Sequence, residues 1–562
     1  MNIKKINIFI LGSGNQGSKI YKILKSLNTN PTIGNKLDFT INPDWVYIAT
    51  PNIYHFEQAE KCLRNNIKVI LEKPPTFNPD AYFYLLDKYG KNNICCVDMF
   101  TRHKHTTDGY DFKWNKETLD SHNTSLLYRL AYHHIQLLAH NNIDGDIKIF
   151  KNTNECIKFK VGEYSFEYKI DFPIHIIFGK SFNSSQNVIK EMLNEIFLGK
   201  FDFDYNAELT LKTLKLLSKI RRKLFKKILI VGGGIFGCTT AIYLSNAGID
   251  VTLIEKNDDI FKEASFINQY RVHRGYHYPR SHETIRQCSE AYREFENFFR
   301  DAIMDSHQCL YSISSQNSKI SAKDYLSVLD KFRLKYIKVK TNKNCDLTIN
   351  GFETLYNPHI VKKILKDRLY ACDVKLVLNR QHDKDDKMYS YVINSTYSNL
   401  NTVYDSGNIQ FEVCEKPVLK LPEKYKNVSH VIMDGPFMCI DPFADTGYHV
   451  LGNVVHAIHH TNIGKFPEVP NNIRPILNAG IIKNPKITNI KKFIETAKDY
   501  FPDIQNYEHI GSMYTIRAVL PYRDKDDYRP SLVNKNNKYI NIFSGKVSTV
   551  VNVAKLVFDK IK

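Results

Sequence analysis

The chain has 562 residues, 43% hydrophobic and 24% charged, proportions of a globular protein long enough for two to four domains with cores of their own. Its eleven cysteines form no CxxC pair, which argues against a zinc knuckle, another metal site or a disulfide framework and predicts a reducing, cytoplasmic location. The net charge of +19 is spread without a basic block, and no run approaches the ~18 apolar residues that span a bilayer, so neither nucleic acid nor membrane is an expected partner.

The chain opens on "KINIFILGSGNQGSKIYKIL": an apolar strand, the turn Gly12-x-Gly14-x-x-Gly17, then an amphipathic helix. In such a unit the first glycine makes the tight turn and the second lets a pyrophosphate approach the backbone. The third brings helix against strand, and the helix N-terminus faces the phosphates. A dinucleotide site also needs an acidic residue about 20 positions on, at the tip of a second strand, to hold the ribose. Here only Asp38 and Asp44 are available, and Asp44 opens the next strand, "DWVYIAT". The second strand and its acid are therefore expected to be missing, and NAD(P) to bind weakly or not at all.

Further on stand Ala49-Thr50-Pro51-Asn52, His55 and Glu72-Lys73-Pro74, each following an apolar strand or opening a helix. Over residues 1–105 this resembles the glucose–fructose oxidoreductase/inositol dehydrogenase (Gfo/Idh/MocA) family. The resemblance implies a Rossmann-like domain in which Lys73 lies between nicotinamide and substrate hydroxyl, with a cis bond at Pro74 or Pro75. Residues 106–220 are short for that family's second domain. Its Asp-x-x-x-His pair has no match, because Arg129 and Leu130 precede His133 and His134. The basic stretch "SKIRRKLFKK", Ser218–Lys227, is expected to be an exposed linker.

A second opening begins at Lys226: "KKILIVGGGIFGCTTAIYLSNAGIDVTLIEK", with Gly232, Gly234 and Gly237. Its second strand alternates and ends in Glu255, 23 residues beyond Gly232. This unit meets the full requirement for a dinucleotide site. Next comes "ASFINQYRVHRGYHYPRS", too polar for a core and too aromatic for an ordinary surface loop. Residues Ser265, Asn268, His273, Gly275 and Tyr278 resemble the flavin-side segment of the FAD-dependent D-amino-acid oxidase superfamily, including its 2-hydroxyglutarate and glycerol-3-phosphate dehydrogenase branches. "SYVINSTYSN" (390–399) and the closing "Ser544-Gly545-Lys546" turn before the last helix resemble two further flavin-contacting places.

The fold class is therefore α/β, with two Rossmann-like nucleotide-binding domains in tandem. The second, 226–562, is expected to be a FAD fold (226–285, 346–404, 501–562) with an inserted α+β substrate domain (286–345, 405–500). The resemblance implies an FAD-dependent enzyme oxidising a small, anionic hydroxy or amino substrate by hydride transfer to flavin N5. His273, then His277, is the candidate base; Arg271, Arg274, Tyr278 and Arg517 are candidate substrate contacts. Gly275 is expected to give close backbone approach, and Gly545 and Lys546 to meet the flavin's pyrimidine edge. Two alternatives stay open: an NAD(P)-linked sugar or polyol dehydrogenase in the N-terminal half, and a non-catalytic binding protein on Rossmann scaffolds.

Overall fold

The computed structural model describes residues 5–97, 188–224, 226–304, 307–435, 437–523 and 528–561, with short stretches between 98 and 187. The side chains of His133 and His134 lie outside the described residues. The first unit is a five-stranded parallel sheet in the order β2-β1-β3-β4-β5. Its strands are β1 (Asn7–Leu11), β2 (Asn30–Gly34), β3 (Trp45–Ile48), β4 (Lys68–Leu71) and β5 (Ile94–Cys96). Their apolar runs are continuous because helices cover both faces. Ile8, Ile10, Tyr47 and Ile70 pack with Ile20, Ile23 and Leu24 of α1 (Asn15–Ser26). Phe9, Leu11, Val46 and Leu71 face α2 (His55–Arg64) and α3 (Pro79–Tyr89).

β2 corrects the expectation that a second strand is missing. It reads NPTIG and only Pro31 is buried, so no hydrophobic pattern announces it. It pairs in parallel with β1 alone, at the sheet edge, where a proline's missing N–H costs no ladder bond.

The basic stretch before the second unit is also corrected. Its residues 218–224 are the last turns of a 22-residue helix, α4 (Phe203–Leu224), whose leucines 209, 214, 216, 217 and 224 are buried. At one end Asn206 Oδ1 accepts the Cys96 N–H (2.9 Å) and its Nδ2 donates to the Cys96 carbonyl (2.9 Å), satisfying the edge beyond β5. At the other end Arg221 is buried, donating to the Cys372 carbonyl (3.1 Å) and pairing with Asp373 Oδ2 (3.1 Å). Arg222, its neighbour, is largely exposed and pairs with the same Asp373 oxygen from the solvent side at 3.5 Å.

β6 (Lys227–Val231), α5 (Ile235–Asn246) and β7 (Asp250–Ile254) start the second unit. Its six-stranded sheet runs 375–377, β7, β6, 391–394, 539–543, 532–536, parallel except for the last pair. A nine-stranded mixed sheet follows, in which Ile409–Lys420 pairs with three neighbours. Glu508–Val519 pairs along nearly the whole of that strand, so this part of 501–562 belongs to the nine-stranded sheet and not to the six-stranded one. The same holds for Cys345–Gly351, which pairs with Gln308–Ser314. Alternation marks a half-buried strand without saying which of two sheets it joins.

The two units share one core. Glu57 of α2 pairs with Arg368 (2.6 Å), whose guanidinium also donates to the Phe298 carbonyl (2.6 Å) and lies 4.7 Å from the Tyr54 ring centre. Phe77 and Asn78 donate their N–H groups to the Ala371 carbonyl at 2.9 and 3.0 Å.

Candidate active site

The second glycine turn shapes the floor of a cavity of about 480 Å³. Gly232 has φ +105°, and a Cβ there would lie 2.7 Å from the Ser395 carbonyl oxygen, so only glycine fits. Gly234 caps α5, and a Cβ on it would meet Ser265 Oγ at 2.9 Å. That hydroxyl accepts the Ile235 N–H (3.0 Å). Gly237 lies against the carbonyl of Gly232, where a side chain would push α5 off the strand. At the tip of β7, Glu255 Oε2 accepts the Gly233 N–H (2.6 Å), and Oε1 accepts from Asn257 N and Nδ2 (both 2.8 Å). Asn268 ties the following loop together: its Oδ1 accepts from Tyr270 N (2.7 Å) and the Tyr356 hydroxyl (3.1 Å).

Gly232, Gly234, Glu255, Ser265 and Asn268 all line this cavity, and so do Gly545 and Lys546 from the last turn. Its walls hold buried polar atoms without a hydrogen-bond partner among the described residues: Arg271 Nη1, His277 Nδ1, Ser395 Oγ, Asn453 Nδ2 and Thr515 Oγ1. Buried polar atoms are rarely left unpaired, so such a concentration fits a bound polar ligand. An open glycine turn, a helix N-terminus and a strand-tip carboxylate fit the pyrophosphate and ribose of FAD.

His273, His277, Tyr278, Arg271 and Arg517 line the same cavity. The His273 and His277 rings lie 5.6 Å apart, each about perpendicular to Tyr278, with interplanar angles of 76°. Lys546 donates to the Tyr278 hydroxyl, its ammonium 4.0 Å from that ring's centre. Burial pushes His273 down to about 4, although Glu353 beside it works the other way. Burial, reinforced by Arg271, pushes His277 well down too. Both imidazoles are therefore neutral bases at neutral pH. Glu353 Oε2 stands 3.4 Å from His273 Nδ1, outside hydrogen-bonding geometry. It accepts from the Tyr311 hydroxyl (2.5 Å) and, through Oε1, from the Arg274 N–H (2.7 Å). Burial disfavours its charge, but His273, Arg271 and the Tyr311 hydroxyl outweigh it and hold the carboxyl down at about 2.

Two sequence expectations fail here. Arg274 does not reach the cavity: its guanidinium pairs with Glu296 (2.6 Å) and stacks 4.2 Å over the Tyr292 ring. Gly275 does not face the cavity either; its φ of +120° and the approach of Ile285 Cγ2, 2.8 Å from a would-be Cβ, require glycine. Alternate residues of an irregular loop point different ways, which a motif match does not resolve. Arg271 is no free clamp, because its Nε lies 3.3 Å from Asp441 Oδ1, itself fully buried. Arg517 pairs with Glu412 while lining the cavity.

Glu353, Asp441 and Lys416 were not found from sequence. Lys416 lines the cavity with its pKa lowered by burial. The available signal was Asp441, a single charge inside the apolar strand "MCIDPF"; Lys416 stands beside Glu412 and Glu415 in "FEVCEKPVL", where no such contrast marks it. The N-terminal residues Gly12, Gly14, Gly17 and Lys73 stand apart from this cavity. There the Lys73–Pro74 bond is cis, and His55 joins the Thr50 carbonyl (2.8 Å) to that of Pro74 (3.0 Å).

Residues 227–331 match the family model described as FAD dependent oxidoreductase. The C-terminal part is an FAD-dependent oxidoreductase of D-amino-acid oxidase type. Residues 7–98 match the model described as oxidoreductase family, NAD-binding Rossmann fold. The FAD-dependent monooxygenase kojA of Aspergillus flavus is 26% identical over 376 residues, covering 58% of this chain and 83% of that protein. The FAD-dependent monooxygenase FPY4 of Fusarium mangiferae is 23% identical, covering 57% and 87%. A glycerol 3-phosphate oxidase of Mycoplasma pneumoniae is 44% identical over 50 residues, 9% of this chain and 13% of that protein. Among solved structures, glycine oxidase from Geobacillus kaustophilus aligns with a TM-score of 0.45 and 11% identity, covering 59% of this chain and 94% of the other. The match to the FAD dependent oxidoreductase model thus lies in the C-terminal part, and the match to the NAD-binding Rossmann model lies before it.

Proposed function

We propose that this oxidoreductase oxidises a small anionic hydroxy or amino compound, with His273 as the base that takes the heteroatom proton. The observation that carries the reading is a half-buried, neutral His273 sharing one cavity with Arg271, Lys416 and Arg517. A neutral imidazole has a free lone pair for the proton, and a cationic wall lowers the energy of an anion beside it. FAD, when bound, supplies the acceptor for the hydride. Glu353 holds the imidazolium once it forms, because a buried carboxylate 3.4 Å from Nδ1 favours the charged ring. Arg517 and Lys416 orient the anionic group, and Tyr278 with Lys546 closes one side of the cavity.

Anaerobic reduction of the purified yellow protein, with a panel of 2-hydroxy acids, amino acids and neutral alcohols and amines, tests this. Reduction by acids is expected. Reduction confined to uncharged compounds would overturn the reading. The two fungal relatives, both FAD-dependent monooxygenases, support a second reading, in which an oxygen atom from O₂ enters the product. Isotopically labelled O₂ separates the two: label in the organic product means oxygenation, and label in peroxide alone means oxidation.

A further inference from the structure

The two glycine turns are one backbone design used twice. Every position of the second has a counterpart 220 residues earlier, Gly12, Gly14 and Gly17 against Gly232, Gly234 and Gly237. Gly12 has φ +113° and Gly232 +105°. Gly14 stands at φ −68°, ψ −171°, and Gly234 at φ −70°, ψ 178°. The Gly12 N–H donates to the Gly34 carbonyl at 2.8 Å, as Gly232 does to Ile254 at 2.9 Å. A Cβ on Gly12 would strike the Ala49 carbonyl oxygen at 2.8 Å, while one on Gly14 meets nothing within 4 Å, which leaves the phosphate approach open. The N-terminal turn therefore fits a dinucleotide as the FAD turn does.

The difference lies at the strand tip. By the same offset Asn35 occupies the place of Glu255, and it makes the same bond: its Oδ1 accepts the Ser13 N–H at 2.9 Å, as Glu255 accepts Gly233. Oδ1 also accepts the Ser13 hydroxyl at 2.8 Å, so the amide's remaining capacity is its two Nδ2 hydrogens. Lys36 follows, solvent-exposed like Asn35. The nearest acid in sequence, Asp38, is occupied by Thr40 N (2.9 Å) and Oγ1 (2.6 Å). A carboxylate at the tip accepts a ribose 2′-hydroxyl and repels a 2′-phosphate; a neutral donor beside a lysine does the reverse.

We propose that the N-terminal module binds NADP(H) in preference to NAD(H), with Asn35, held in place by Ser13, and Lys36 recognising the 2′-phosphate. Titration calorimetry of the FAD-loaded full chain with NADP⁺ and NAD⁺ tests this directly. NADP⁺ is expected to bind at least about tenfold tighter, the worth of one hydrogen bond to a charged group. Lys36→Ala should weaken NADP⁺ by a similar factor and leave NAD⁺ unchanged. Asn35→Asp should reverse the order of the two affinities. Gly14→Val should abolish both, with flavin absorbance intact to show that the chain is folded. Equal or tighter binding of NAD⁺, or binding of neither at millimolar concentration, would overturn the proposal. None of these readouts depends on the substrate of the flavin site.

Discussion

His273 has the environment of a base kept ready without being charged. Its replacement by alanine is expected to slow flavin reduction by about 10²–10⁴-fold while FAD stays bound, measured by stopped flow once a substrate is in hand. Because burial holds its pKa at about 4, the acid limb of the reduction rate should fall near pH 4, not near the ordinary 6.5. Glu353→Gln should shift that limb while Tyr311 keeps its hydrogen bond; a positioning role moves the pH profile, whereas simple loss of packing would not. Stability has the same origin. His273, His307 and His430 are all held at about 4 by burial, so they bind fewer protons folded than unfolded. Their contribution is complete above pH 6.5 and is lost as pH falls through 4, which thermal melts across that range would register as a steep decline. At the cofactor end, Gly234→Val should leave the protein colourless, because the new side chain displaces Ser265 Oγ, 2.9 Å from its Cβ, and fills the phosphate approach.

Among the elements, α4 changes most between sequence and structure. Its leucines follow helical spacing, but the run of basic residues from Lys219 to Lys227 masks that pattern and reads as a solvated join. Only tertiary packing distinguishes buried Arg221 from exposed Arg222. Arg221→Ala is expected to cost about 2–3 kcal/mol, since it removes a buried side chain and its donors to the Cys372 carbonyl, the part-buried Asp373 carbonyl and the Asp373 carboxylate. A denaturant melt within 0.5 kcal/mol of wild type would count against the helix as a structural tie. The FAD half was legible because its fingerprint is local: three glycines, a strand and a carboxylate at fixed spacing. β2 was not, since an edge strand with a proline needs no apolar pattern, and Asn35 lacks the charge that marks its position. Glu353 and Lys416 were invisible for another reason. Glu353 reaches His273 from a turn 80 residues away and Lys416 reaches the cavity from a strand further on, and nothing local announces the meeting.

At the level of the whole molecule, the nucleotide modules are not beads on a string. A chain of residues 226–562 keeps all flavin-contacting segments, but it removes Glu57 from Arg368, Arg221 from Asp373 and the apolar faces of α2 and α3 from the shared core. It is expected to melt well below the full chain; equal melting temperatures would mean that the interface adds nothing. The Glu57–Arg368 pair joins residues 311 apart in sequence. On a ribosome adding 5–20 residues per second, Glu57 emerges roughly 15–60 s before its partner. During that interval the first module carries an uncovered flank of Tyr54, Phe56 and Phe77. Synthesis in a cell therefore depends on holding that surface apart from other nascent chains until the second half arrives, and slowing translation should favour aggregation of the unfinished chain over the finished one.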